Sequence, residues 1–265
     1  MSIQIETVIA NEVEMQYFRF GNGNRKMIMI PGFSVRSIMP AKDLIASGYE
    51  MFAKNYEVYV FDIRRNLPAQ YSISDMADDL IRVLDALGLK NLYVYSISMG
   101  GMAAQLLSVR RPDLVKALIL GSTTPGIFEE TRGLFADWNR FSREKNEEGL
   151  LNSFAENVYS EEFLKEYGEA ILSSCRNLTE DEFKRCEICT QALLNFEAVD
   201  DISEIACPTL VMQGKDDRVI GLKPAFEFAA RLKCEPVFFP GFGHAVYDEN
   251  PEFRVKALEF FDGVE

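Results

Sequence analysis

The chain has 265 residues, 48% of them apolar and 26% charged, and a formal net charge of −13. That length can bury a large core and suits one α/β domain with an insertion as well as two small domains, while the composition excludes disordered and collagen-like chains. The negative charge repels polyanions, so neither nucleic acid nor an anionic membrane surface is an expected partner.

Residues 3–9 and 12–20 read as two strands joined by a turn at Ala10-Asn11, and Gly21-Asn22-Gly23-Asn24 is a turn cluster. Lys26–Ile30 and Glu57–Phe61 are apolar runs of the kind found in strands buried on both faces. Residues 36–52, between them, are expected to be helical. The next helix is the clearest: Ile73, Met76, Ala77, Leu80, Ile81, Leu84 and Leu87 recur at helical spacing. Ser72 or Ser74 can cap its start, and Gly88 suits its end. A strand over Asn91–Tyr95, a helix over Met99–Arg110 ending before Pro112, and a strand over Ala117–Leu120 continue the alternation. That pattern predicts a parallel sheet with helices on both faces. Residues 125–198 break it with helical, charged and aromatic segments. It resumes with strands at Thr209–Gln213 and Pro236–Phe239 and helices over 222–232 and 250–262.

Five cysteines, at 175, 186, 189, 207 and 234, are an odd set and no disulfide framework, which points to a reducing compartment. Cys186 and Cys189 form a C-x-x-C inside a helical stretch. Zinc needs four ligands and the chain has one histidine, so the pair reads as two small residues on neighbouring turns, and no metal is expected. Met1-Ser-Ile-Gln-Ile-Glu lacks the basic and apolar regions of a signal peptide, and no apolar run approaches the roughly 18 residues of a membrane span. A cytoplasmic location is the expectation.

Four segments carry the chemistry. In Tyr93-Val-Tyr-Ser96-Ile-Ser98-Met-Gly100-Gly101 a strand enters Ser98 and a helix leaves it, with small residues two before and two after. A sharp turn of this kind lifts a serine hydroxyl clear of the sheet at a helix N-terminus, where the Met99 N–H faces any oxyanion formed nearby. The plainer alternative is a packing turn. Pro31-Gly32-Phe33-Ser34 follows a buried strand and can aim the Phe33 N–H at the same point; it also suits an ordinary strand-ending turn. Gly214-Lys-Asp216-Asp217-Arg and Gly241-Phe-Gly243-His244 each follow a strand. Open α/β sheets place sites at those strand ends, and His244 is the one imidazole available as a base. The chain order Ser, Asp, His is that of α/β-hydrolases.

On these residues the chain resembles the α/β-hydrolase superfamily, in the capped group of esterases, carbon–carbon bond hydrolases and proline iminopeptidases. The likeness spans nearly everything outside 125–198. It implies an eight-stranded, mostly parallel sheet, with a core of residues 1–124 and 199–265 and a helical cap at 125–198. It places the acid three residues after the strand-ending Gly214, at Asp217, with Asp216 as competitor. The site of an acid after the sixth strand reads Gly121-Ser-Thr-Thr-Pro-Gly, without a carboxylate. The sequence departs from the family at Ser96, Pro31 and Asp62-Ile-Arg64-Arg65-Asn-Leu-Pro68, which blurs the subfamily.

The resemblance implies acyl transfer by Ser98, His244 and Asp217, with Phe33 and Met99 N–H groups as oxyanion donors and no cofactor. A serine at the elbow argues against haloalkane dehalogenases and epoxide hydrolases, whose resembling elbows carry Asp. Aromatic residues of the cap, among them Phe135, Trp138, Phe141 and Phe154, are expected mainly to pack and partly to line an apolar pocket; Ser34, Trp138, Val219 and Val246 are the expected pocket residues. The substrate expected is a small-to-medium apolar ester, taken by a monomer or homodimer. An amidase, a peptidase, a carbon–carbon bond hydrolase or a non-catalytic receptor of the same fold are the other readings.

Overall fold

The computed structural model describes residues 3–197 and 200–264. The expected boundary at 198/199 lies outside them, as do Met1 and Ser2. Eight strands form one sheet in the order β1-β2-β4-β3-β5-β6-β7-β8. They are β1 (Ile5–Ala10), β2 (Val13–Phe20), β3 (Arg25–Ile30), β4 (Tyr56–Arg64), β5 (Leu92–Ile97), β6 (Val115–Gly121), β7 (Thr209–Gly214) and β8 (Val237–Phe239). β1 pairs antiparallel with β2, and β2 antiparallel with β4; every other pairing is parallel. The mostly parallel eight-stranded sheet expected from the resemblance is therefore what the chain forms.

All six residues of β5 are buried, because helices cover both faces of the sheet. One face packs against α2 (Ile73–Ala86), α3 (Ser98–Arg110) and α8 (Leu222–Arg231); the other packs against α1 (Lys42–Gly48) and α10 (Pro251–Asp262). α2 starts in a capping box: Asp75 N–H donates to Ser72 Oγ at 3.1 Å, and Ser72 N–H donates back to Asp75 Oδ2 at 2.8 Å. Ser72, not Ser74, is thus the cap. Its buried face is Ile73, Met76, Ala77, Leu80, Val83 and Leu84.

One expected helix is broken. Residues 36–52 hold only α1 between single tighter turns at Met39–Ala41 and Glu50–Phe52; Pro40, with no N–H to donate, sits in the first turn of the former. The helix expected over 250–262 forms as α10: Pro251 is its first residue, the Asn250 side chain caps it by accepting from Glu252 N–H at 3.0 Å, and a short α9 (Val246–Glu249) precedes it.

Between β6 and β7 the described residues form four α-helices: α4 (Glu129–Arg143), α5 (Glu147–Val158), α6 (Glu161–Cys175) and α7 (Glu180–Leu194). Their buried residues, such as Phe135, Trp138, Leu150 and Leu193, join the core of the α2/α3 face. Polar clasps tie them down as well. Arg36 donates to Ser174 O at 3.0 Å, to Arg176 O at 3.0 Å and to Asn177 O at 2.9 Å. Arg185 of α7 donates to Asp62 Oδ1 at 2.8 Å, and Ser37 Oγ donates to Asp62 Oδ2 at 2.5 Å. Both side chains of the Arg185–Asp62 pair are largely buried. Among the described residues no helix is long and apolar enough to cross a membrane.

Candidate active site

The sheet order reverses at β3: the chain runs next to β4 on one side, then to β5 on the other. Ligands in open α/β sheets bind outside the carboxyl ends of the strands at such a reversal. β3 ends at Ile30 opposite Ser96, β5 at Ile97 opposite Gly121, and β7 at Gly214 opposite Phe239. The loops after β3, β5, β7 and β8 thus leave the sheet at one rim.

Ser98 sits at that rim with φ +50°, a left-handed backbone costly for a residue with a side chain. Close packing holds the turn. A Cβ on Gly100 would lie 2.4 Å from the carbonyl oxygens of Ile30 and Pro31, and one on Gly32 would lie 2.9 Å from Ser98 Cβ. Only glycine admits this approach, and it brings the Pro31–Ser34 loop alongside the serine. Ser96 Oγ donates to Ile119 O at 2.6 Å, so the small residue two before the serine is bonded into β6.

The Ser98 hydroxyl lies 3.0 Å from His244 Nε2, and His244 Nδ1 lies 2.9 Å from Asp217 Oδ2. The other Asp217 oxygen accepts the N–H groups of Val219 at 2.8 Å and Ile220 at 2.9 Å, which fixes the carboxylate in the plane facing the imidazole. All three side chains are buried. Asp216 is exposed and points away, so the competitor is excluded from this chain of hydrogen bonds by geometry.

A small cavity covers Ser98 and His244. Phe33, Phe135, Trp138 and Phe154 line one side of it, and Val158, Leu193, Val219 and Tyr247 complete it. Phe33 stacks on Trp138 with ring centroids 5.9 Å apart and meets Phe154 edge-on at 5.9 Å. Trp138 Nε1 donates to Ser153 Oγ at 3.1 Å, which satisfies the indole and fixes its plane. Among the described residues, no lysine, arginine, aspartate or glutamate lines this cavity. Only about 10 Å³ of it is open to the centre of a water molecule, room for roughly one water.

Of the expected pocket residues, Trp138 and Val219 line the cavity. Val246 and Ser34 do not. Val246 is buried on the opposite face of the sheet with Phe253 and Phe261, because the short α9 turns it inward, and its neighbour Tyr247 faces the cavity instead. Ser34 Oγ donates to Arg36 O at 2.6 Å and is spent on its own loop. Met99 follows Ser98 in the chain and its side chain goes into the core, and Phe33 lines the same cavity as Ser98.

Two supporting residues escaped sequence reasoning. Thr123 Oγ1 donates to Ser98 O at 2.7 Å, and Ser122 Oγ donates to His244 O at 2.8 Å. Ser122 also has φ +44°. Both lie in Gly121-Ser-Thr-Thr-Pro-Gly, where a lack of carboxylates hides a row of hydroxyls serving both neighbouring loops. Cys186 and Cys189 are buried in α7, far from a metal-site arrangement; burial raises both thiols, that of Cys189 to about 11.

Residues 41–251 match the family model for the alpha/beta hydrolase fold, so the chain belongs to that family. It is 24% identical to RutD of Pantoea ananatis (strain LMG 20103), named for carbamate hydrolysis, over 76% of this chain and 77% of that protein. It is 23% identical to 3-oxoadipate enol-lactonase 2 of Acinetobacter baylyi (strain ATCC 33305 / BD413 / ADP1), over 81% of this chain and 80% of that one. The crystal structure of MGS-M2, an alpha/beta hydrolase enzyme from a Medee basin deep-sea metagenome library, superposes with a TM-score of 0.87 at 18% identity and covers 98% of each chain. The protein is a hydrolase of this fold.

Proposed function

We propose that this hydrolase cleaves carboxylic esters with a small-to-medium, uncharged, apolar acyl group through a Ser98–His244–Asp217 triad. The observation that carries the reading is the continuous hydrogen-bonded line from Ser98 Oγ to Asp217 Oδ2, set behind an aromatic cavity. His244 Nε2 takes the Ser98 proton as the hydroxyl attacks the ester carbonyl, and Asp217 holds the imidazole in the tautomer with a proton on Nδ1. Phe33 and Met99 N–H groups receive the oxyanion. His244 then returns the proton to the leaving alcohol, and water releases the acid from the acyl-enzyme by the same steps in reverse order. No metal or cofactor enters these steps. The helices of residues 125–198 serve as the cap that encloses the acyl group.

The lining supports a substrate other than those named for the relatives. A 3-oxoadipate enol-lactone keeps a free carboxylate, and a carbamate ion is itself an anion. Burying either without a cation costs several kcal/mol. The cavity offers aromatic and aliphatic walls and no described cation, which favours a neutral acyl chain.

The test is labelling with a fluorophosphonate, mapped by peptide mass spectrometry, in the wild type, Ser98→Ala and His244→Ala, followed by 4-nitrophenyl esters of rising chain length. Label on Ser98 lost in both variants, with turnover of short esters, is the expected result. A folded wild type that takes no label and turns over no ester refutes the reading and favours a non-catalytic binder.

A further inference from the structure

A second cavity, of about 210 Å³, lies against the outside of the first; Asn157, Tyr159, Glu161, Asp216, Arg218 and Gly243 are among its lining. The same three stretches of chain line both cavities, and neighbouring residues face opposite ways. Between α5 and α6, Val158 faces Ser98 while Asn157 and Tyr159 face the outer groove. After β7, Val219 faces inward and Asp216 and Arg218 outward; after β8, His244 faces inward and Gly243 outward. The partition is thus a single layer of residues.

Two hydrogen bonds tie that layer to the chain after β8. Ala245 N–H donates to Val158 O at 2.8 Å, and Ser160 N–H donates to Glu249 Oε1 at 2.8 Å. The junction leads into α6, where Gly168 is the one buried residue. The inner cavity has room for one water, so a substrate that reaches Ser98 must displace part of its wall.

The reaction defines which side the leaving group takes. His244 delivers its proton to the leaving oxygen, so that oxygen and its substituent lie on the imidazole side of Ser98. The outer groove borders that side, through Gly243 of the histidine loop and Asp216 and Arg218 of the aspartate loop. Phe33 and Trp138 line the inner cavity and not the outer groove. The groove is also chemically different. Its two carboxylates, Glu161 and Asp216, face one guanidinium, Arg218, which lies 3.9 Å from Glu161. Asn157 Nδ2 donates to Ser153 O at 2.8 Å, which orients the amide and leaves its oxygen as a further acceptor.

We propose that the outer groove is the leaving-group compartment of the substrate site, joined to Ser98 when the junction at residues 157–160 shifts, and that it takes a hydroxyl-bearing or ammonium-bearing group and rejects an anion. This rests on the serine-hydrolase reading. With two carboxylates against one guanidinium the groove is net negative, so on balance it repels an anion and receives hydroxyl and ammonium donors.

Butyrate esters that differ only in the leaving group test the proposal: glycerol, choline and glycolate, each as kcat/KM relative to ethyl butyrate. The wild type is expected to favour the glycerol and choline esters over the glycolate ester by roughly tenfold at low salt, with the choline advantage shrinking as salt rises. Glu161→Lys, at an exposed position, is expected to move the choline-to-glycolate ratio toward glycolate by at least about threefold. Val158→Ala, which thins the partition, is expected to raise the glycerol-to-ethyl and choline-to-ethyl ratios. Fluorophosphonate labelling of Ser98 accompanies every measurement. If Ser98 labels and ethyl butyrate turns over, but the ratios are flat in the wild type or unmoved in both variants, the groove proposal is overturned and the hydrolase reading stands. If Ser98 does not label and no ester turns over, both fall.

Discussion

Replacing Gly100 by alanine tests whether the serine turn depends on backbone contact. A Cβ there would lie 2.4 Å from both Ile30 O and Pro31 O. Ordinary contact needs about 1 Å more, so either α3 or the Pro31–Ser34 loop must move by roughly that distance. Overpacking of this kind costs about 1–3 kcal/mol. Against it stands the gain of about 1 kcal/mol for alanine over glycine inside a helix. The net expectation is a loss of up to about 2 kcal/mol, read as a fall in Tm of several degrees. Activity suffers more, because the displaced loop carries the Phe33 N–H. A misplacement of about 1 Å costs on the order of 10²-fold in rate, and full loss of an oxyanion donor about 10²–10³-fold. Gly133→Ala is the control: this glycine is also helical, in α4, but has nothing within 4 Å of its would-be Cβ. It should raise Tm by about 2–4 °C without touching ester hydrolysis. Thermal unfolding and kcat/KM on a 4-nitrophenyl ester read both variants. A Gly100→Ala protein with wild-type kcat/KM and a Tm raised like that of Gly133→Ala would refute the reasoning.

Asp217→Asn keeps an acceptor for Val219 and Ile220 N–H but spoils the His244 tautomer; kcat should fall by roughly 10³–10⁴-fold while far-ultraviolet circular dichroism stays unchanged. Trp138→Ala removes a fully buried ring from the cavity wall. It should cost about 3–5 kcal/mol in urea unfolding and shift the best 4-nitrophenyl ester to a longer acyl chain; an unshifted profile would place the acyl group elsewhere. Arg185→Ala leaves the buried Asp62 carboxylate with Ser37 and Ile63 as donors but without its cation. A loss of about 3–5 kcal/mol is expected, partly recovered by adding Asp62→Asn, and a neutral result would show the pair to be idle. Burial holds the Cys189 thiol neutral to about pH 11 and Cys186 beyond that. Thiolate, the reactive form, therefore gains ground only as pH rises past those values. Iodoacetamide at pH 8 should leave both cysteines unmodified until the protein is unfolded, and rapid native labelling of either, seen by mass spectrometry, would contradict their burial.

Local pattern carried much of the fold. The β3, β4 and β5 strands were legible because both faces of each are covered, so nearly every residue had to be apolar. The α2 helix was legible because one face is buried, which imposes helical spacing. Ser98 was legible because a strained turn demands a small neighbour, Gly100, and His244 because the sequence has no other imidazole. The segment 36–52 was less so: it reads as one helix, and the chain divides it into α1 and two tight turns.

What the sequence determined by itself was the set of chemical groups and the order in which the chain presents them, because backbone sterics and hydrophobic period act within a few residues. The tertiary structure decided which of Asp216 and Asp217 meets His244, since the two differ by one position and only the path of the β7 loop turns one inward. It decided that Tyr247 and not Val246 faces the serine, and that Thr123 and Ser122 brace the neighbouring loops through hydroxyls bonded across strands. It alone placed a polar groove one residue's thickness behind an apolar cavity. Those relations join segments as far apart as Val158 and Ala245, and no local pattern records a contact between residues that only folding brings together.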